Sequence, residues 1–311
     1  MMTRLLLASV LVLCACAGVN LHAAQAPAAL PGADIYQRAT NEFAVACFFK
    51  PAEEKTNDLA FTLAPLILQE VSGATERLSR IDRFGTLDLS DGLSALDPSR
   101  PAIYWQADTV QLNGKAHVRF TYVWCYAAAA RGSERGPATA NPSPAPAEAG
   151  LALQGIRITL NTNGQPVIWE ALADSSGAEL IFVSQTLEAA ALAEHGKPLP
   201  GRRYAIERSM EAAPRVTVAR VIDDGPVAMG PFVYLSAGTR NVNTLICRCM
   251  PAQAKKLLST SNYELLPLQE MTGQSLLTQT KLLAKEQTAF WPGDQRTDDH
   301  LERCLRLPSL F

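Results

Sequence analysis

The sequence predicts an α+β protein: a mostly antiparallel sheet built from hairpins, with helices at both ends, interrupted by a disordered Ala/Pro-rich insertion. Three observations predict it. Runs rich in Val, Ile and aromatic residues recur at strand length from Ile103 to Cys249, with Asn113-Gly114 and Asn161-Thr162-Asn163-Gly164 supplying tight turns between them. Segments with apolar residues at helical spacing precede the first hairpin and follow the last strand. From Ala127 to Gly150 the chain is Ala, Pro, Gly and Ser with a few charges, without the apolar side chains that would offset the entropy of ordering it.

Composition narrows the classes. A chain of 311 residues, 48% of them hydrophobic, is long enough for one large core. Its 28 basic and 30 acidic residues give a net charge of -2 with no run of one sign. Capture of nucleic acid needs a basic stripe, so no nucleic-acid partner is expected.

The N-terminus predicts export. Met1 to Arg4 supplies a short positive region, and Leu5 to Gly18 is apolar or small, too short to span a bilayer comfortably. Two cuts compete. Ala23-Ala24-Gln25-Ala26-Pro27 suits signal-peptidase cleavage and gives a signal over 1–24. Leu13-Cys14-Ala15-Cys16 resembles the bacterial lipoprotein signal and makes Cys16 a lipidation candidate, although Cys14 departs from the usual residue there. The expected organisation is this signal, a tether over 25–33, and a single α+β domain over 34–311 carrying a flexible insertion at 127–150. The expected location is periplasmic, soluble or lipoprotein-anchored, with membrane contact only through the N-terminal lipid.

Taken in order, Ile35, Tyr36, Ala39, Phe43, Ala46 and Cys47 are spaced for one face of a helix from Asp34 to Lys50, which Pro51 ends. Asn57 or Asp58 caps a second helix to about Val71, kinked or broken at Pro65. The firmest hairpin joins Ile103–Leu112 to Lys115–Tyr126. In its second strand Val118, Phe120, Tyr122, Trp124 and Tyr126 share a face that reads as core. His117, Arg119, Thr121, Val123 and Cys125 share the other face. A second hairpin pairs Gln154–Leu160 with Pro166–Leu172. Glu179–Val183 forms a strand, and Ser184 caps a helix ending at Gly196. Val216–Ile222, Phe232–Leu235 and Val242–Cys249 complete the sheet. Pro251 opens an Ala/Lys/Leu helix, Ser275 caps another to about Ala289, and Thr297 caps a last one to Leu307.

Potential chemistry concentrates at Cys247-Arg248-Cys249. Seven cysteines are encoded, and two of them, Cys14 and Cys16, belong to the signal. Export favours pairing of thiols, so Cys47, Cys125, Cys247, Cys249 and Cys304 are disulfide candidates, and an odd count leaves at least one free, metal-bound or intermolecular. Cys304 bonded to Cys247 or Cys249, and Cys47 bonded to Cys125, are the plainest pairings. Same-face neighbours on an extended strand have Cα atoms roughly 6.5–7 Å apart, at the edge of disulfide geometry, so a Cys247–Cys249 bond would be readily reduced. Arg248 would then favour a thiolate.

His300 and Cys304 fall four apart on the last helix, on one face. With Cys247 and Cys249 they form a Cys3His set that suits tetrahedral zinc, and thiolates also suit Cu(I). The one-residue gap between Cys247 and Cys249 departs from the usual zinc spacing. No motif implies an organic cofactor. There is no Gly-x-Ser-x-Gly, His-Glu-x-x-His, phosphate loop or dinucleotide fingerprint, and His117 and His195 sit at a turn and a helix end as structural residues. These features together imply an exported, non-enzymatic binding or envelope-associated protein with a protein or small-molecule partner. The alternative is a metal- or thiol-dependent exported enzyme centred on Cys247, Cys249, His300 and Cys304.

Overall fold

Strands dominate the molecule. A computed structural model describes residues 43–72, 77–88, 95–127, 151–172, 179–249, 254–268 and 300–311. Of these, 52% are in strands and 12% in helices, and the strands form a nearly closed mixed barrel. This overturns the α+β expectation of a hairpin sheet with helices at both ends.

The strands are β1 (Phe43–Pro51), β2 (Leu66–Glu70), β3 (Phe84–Asp88), β4 (Ala95–Asp97), β5 (Ala102–Leu112), β6 (Lys115–Ala127) and β7 (Leu151–Leu160). They continue with β8 (Pro166–Leu172), β9 (Glu179–Ser184), β10 (Val216–Ile222), β11 (Pro231–Leu235), β12 (Val242–Cys247) and β13 (Ala254–Pro267). Helices α1 (Leu59–Thr62), α2 (Gln185–His195) and α3 (His300–Cys304) are short. The sheet runs β10-β9-β8-β7-β6-β5-β13-β1-β2-β11-β12, with β3 on β6 and β4 on β3. At its two ends Arg220 of β10 donates to Thr244 Oγ1 of β12 at 3.4 Å, so the edges meet.

The predicted hairpins are present. Asn113 and Gly114 both take positive φ, 49° and 73°, the conformation that a two-residue turn between twisted strands demands. Ala127 pairs with Leu151, so the strands flanking the Ala/Pro-rich segment are neighbours, while 128–150 itself lies outside the described residues. The predicted signal, the tether, Cys16 and the Ser275–Ala289 helix also lie outside them.

The corrections fall at both ends. Residues 43–51 are β1 rather than the end of a helix. Phe43 and Ala46 lie three apart in one outer cluster, and the register shifts between Ala46 and Cys47, so an irregular strand imitates helical spacing. The second predicted helix survives only as α1, capped by the Asp58 carboxylate on Ala60 N–H, after which Pro65 leads into β2. The expected Ala/Lys/Leu helix is instead β13, which pairs in parallel with β1 through Tyr263 and with β5 from Glu264. Two waiting strand edges override a weak helical preference.

The interior is filled. Phe120, Tyr122, Trp124 and Tyr126 of β6 meet Ile156, Ile158, Trp169, Phe182, Val233 and Leu245 inside the barrel. Val118 is the exception on the expected core face, 43% exposed near the hairpin tip. Two core phenols are satisfied: Tyr122 donates to Ala60 O at 2.8 Å, and Tyr263 to Pro65 O at 2.7 Å, tying α1 and the chain after it to the wall. A second cluster lies outside the barrel, where α2, α3 and the C-terminal residues cover Ile168, Ile181, Val183 and Val218.

Gly155 in β7 reports how closely the strands approach. A Cβ there would stand 2.5 Å from Tyr122 O. Gly155→Ala is expected to destabilise the protein by about 1–3 kcal/mol, read as a lower denaturant midpoint at unchanged m-value.

Candidate functional site

The site begins with alternation along the second hairpin. On β7 and β8, Arg157 and Glu170 are direct partners and both turn outward, opposite to the Ile156, Ile158 and Trp169 side chains that fill the barrel. Arg157 donates to Glu170 from Nε at 2.8 Å and from Nη2 at 2.6 Å, a bidentate pair buried to 6% and 3% exposure. Burial pushes the Glu170 carboxyl up, but the Arg157 charge and its hydrogen bonds outweigh that, and the net shift is downward. Arg119 and Asp108, paired across β6 and β5 at 2.8 Å, extend the charged face.

The C-terminal residues are fastened over this face. Arg208 donates to Glu302 O and Leu305 O, satisfying carbonyls at the end of α3. Leu305 bridges to Glu207, Arg306 N–H donates to Ile206 O, and Phe311 stacks on His117 with ring centroids 4.5 Å apart. His117 also contacts Leu160 O, and His195 contacts Arg306 O, so both histidines hold structure.

This strap brings His300 and Cys304 onto Glu179 at the start of β9. Cys304 Sγ lies 3.4 Å from Glu179 Oε2 and 3.8 Å from either His300 ring nitrogen. His300 Nε2 lies 3.8 Å from Glu179 Oε1 and 3.7 Å from Glu170 Oε1. One ligand atom from each of Glu179, His300 and Cys304 falls within 4.8 Å of the others, a cluster that could hold a metal ion. Burial raises the Cys304 thiol, and the neighbouring carboxylates of Glu179 and Glu170 raise it further.

Cys247 and Cys249 go elsewhere. They are bonded to each other, with Cα atoms 5.2 Å apart. The contraction from strand spacing has a plain cause: β12 stops at Cys247, and Arg248-Cys249 is a turn rather than a continuation of the strand. Cys247 lines a cavity of about 230 Å³ together with Trp169, Asp223, Asp224, Met229 and Arg248. Trp169 and Glu170 are consecutive on β8 and face opposite ways, so the disulfide and the His300–Cys304 pair lie on opposite sides of the wall. The predicted four-ligand set of Cys247, Cys249, His300 and Cys304 is therefore not assembled. Cys47, Cys125 and Cys304 are buried and not disulfide-bonded. Cys47 faces the barrel interior and Cys125 an outer cluster, which rules out the expected bridge between them.

Sequence reading found His300 and Cys304 but missed Glu179, Glu170 and Arg157. The available signal was a charged residue at matching outward positions of two paired strands. No family model, no curated protein and no solved structure matches the chain.

Proposed function

We propose that this is an exported barrel protein that binds one divalent metal ion, zinc by its donor set, through Glu179, His300 and Cys304. The observation that carries the reading is the convergence of those three donors. Ligand atoms around a tetrahedral ion at zinc's bond lengths stand roughly 3.3–3.8 Å apart. The contacts at 3.4 and 3.8 Å between sulfur, carboxylate and imidazole match that spacing before any ion enters. A carboxylate, an imidazole and a thiol together suit zinc better than calcium or magnesium, which favour oxygen alone.

Charge supports the reading as well. Arg157 balances Glu170, which leaves Glu179 and the Cys304 thiol to welcome a cation, with loss of the thiol proton on binding. Glu170 Oε1 lies 3.7 Å from the same His300 nitrogen that faces Glu179, so two carboxylates flank that side of the ring. The ion would join the strap to β9 and leave a fourth coordination position to water. The described cavities of about 230, 360 and 560 Å³ have other linings.

Zinc titration of the full chain against a chromophoric chelator is expected to give one ion per chain. His300→Ala and Cys304→Ser should each weaken it by roughly 100-fold or more. Cobalt in place of zinc should show a thiolate charge-transfer band that Cys304→Ser abolishes. Equal affinity in wild type and both variants would sink the reading.

A further inference from the structure

The Cys247–Cys249 disulfide takes no part in the metal reading, and its chemistry is independent of that site. We propose that this disulfide is a thiol–disulfide exchange site that accepts electrons from substrate cysteine thiols, with Cys249 the sulfur attacked and Cys247 the sulfur released.

Four features carry the assignment. The two half-cystines differ in access: Cys249 is exposed, whereas Cys247 is only 7% exposed. Exchange depends on which sulfur a thiolate can reach, so attack is directed to Cys249. The Cys249 N–H donates to Cys247 Sγ at 3.1 Å, so the departing thiolate already has a hydrogen-bond donor. The cavity of about 230 Å³ lies on the Cys247 side and gives that sulfur room to turn. Its wall contains Arg248 and Trp169, whose buried indole N–H has no hydrogen-bond partner among the described residues. Burial works against the Arg248 charge, a penalty that a nearby anion offsets.

The step balances. A substrate thiolate attacks Cys249 Sγ, the sulfur–sulfur bond breaks, and its electron pair leaves on Cys247 Sγ. A mixed disulfide joins substrate and Cys249. A second substrate thiolate then attacks the substrate sulfur of that bond and releases a substrate disulfide and the Cys249 thiolate. Two thiols are oxidised, one protein disulfide is reduced, and the two protons given up by the substrate thiols reside on Cys247 and Cys249. The buried thiols of Cys47, Cys125 and Cys304 are shielded from the exchange.

The test incubates the oxidised full chain with a reduced two-cysteine peptide and, separately, with glutathione, then traps thiols by alkylation and maps them by mass. New alkylation at Cys247 and Cys249 matched by an equal amount of oxidised peptide or glutathione is the expected result. The arm that reacts faster distinguishes peptide thiols from small thiols as substrate. With glutathione disulfide, Cys247→Ser should capture glutathione at Cys249 roughly tenfold or more faster than Cys249→Ser captures it at Cys247. A pair that stays oxidised in excess of both thiols, or equal capture by the two variants, overturns the proposal. The wild-type arms decide it alone if either variant fails to fold.

Discussion

Arg157→Met is expected to destabilise the protein by about 3–5 kcal/mol at neutral pH, because it strands the buried Glu170 carboxylate in the barrel wall. The size comes from removing one partner only. Arg157→Met with Glu170→Leu deletes both charges and should recover most of the loss, since a buried ion pair contributes little net stability over an apolar pair of similar volume. The pH dependence separates this from a packing defect. In the wild type the Glu170 carboxyl sits below its ordinary value, so its contribution is fully present above the ordinary carboxylate range and disappears as pH falls through the lowered one. Without Arg157, burial dominates and the carboxyl moves up, so the variant recovers on acidification. The gap between the two proteins should close from both sides as pH falls. Urea midpoints at neutral and mildly acidic pH measure it, and a constant gap would refute the account.

The legible parts of the fold were those fixed by local chemistry. Asn113-Gly114 demands a tight turn, Ser184 offers its hydroxyl to Leu187 N–H at the start of α2, and the aromatic face of β6 could only be core. Less legible were elements decided by distant partners. Ala254–Pro267 has Lys and Leu in a helix-compatible order, and only the presence of β1 and β5 on either side makes it a strand. Barrel closure has the same character: Arg220 and Thr244 meet although nothing near either residue announces the other. For the site, the i, i+4 rule found His300 and Cys304, because their proximity is helical and local. Glu179 escaped because it reaches them from β9, 121 positions before His300 in the chain. The Cys247–Cys249 pair was visible as a spacing, but the turn that lets the sulfurs meet was not.

Alkaline pH should unfold this protein cooperatively, and the barrel interior supplies the reason. Burial holds the phenols of Tyr122, Tyr126 and Tyr263 well above their ordinary value of 10.0, and nearby Tyr263 and Asp58 push Tyr122 further. Arg248 beside Tyr263 and Arg240 beside Tyr126 lower them only in part. Each phenol also spends its proton on a buried acceptor: Ala60 O, Gln69 Oε1 and Pro65 O respectively. Ionisation would thus remove a donor and place an anion in the core. Because the folded-state values are raised, stability is full below the ordinary phenol value and is lost as pH climbs past it toward the folded one. One unit above that value each phenol withdraws about 1.4 kcal/mol, and the three together about 4 kcal/mol. Cys125, fully enclosed and likewise raised, adds to the loss from its ordinary value of 9.0 upward. Urea midpoints between about pH 8 and pH 11 should fall steeply, with the phenolate absorbance of these three tyrosines appearing only as the chain unfolds. Tyr263→Phe removes one titrating group, so its slope above pH 10 should be shallower by about one phenol's share. Ionisation of these three phenols while the midpoint stays level would mean that their hydroxyls reach solvent in the folded state, and would refute the enclosed interior.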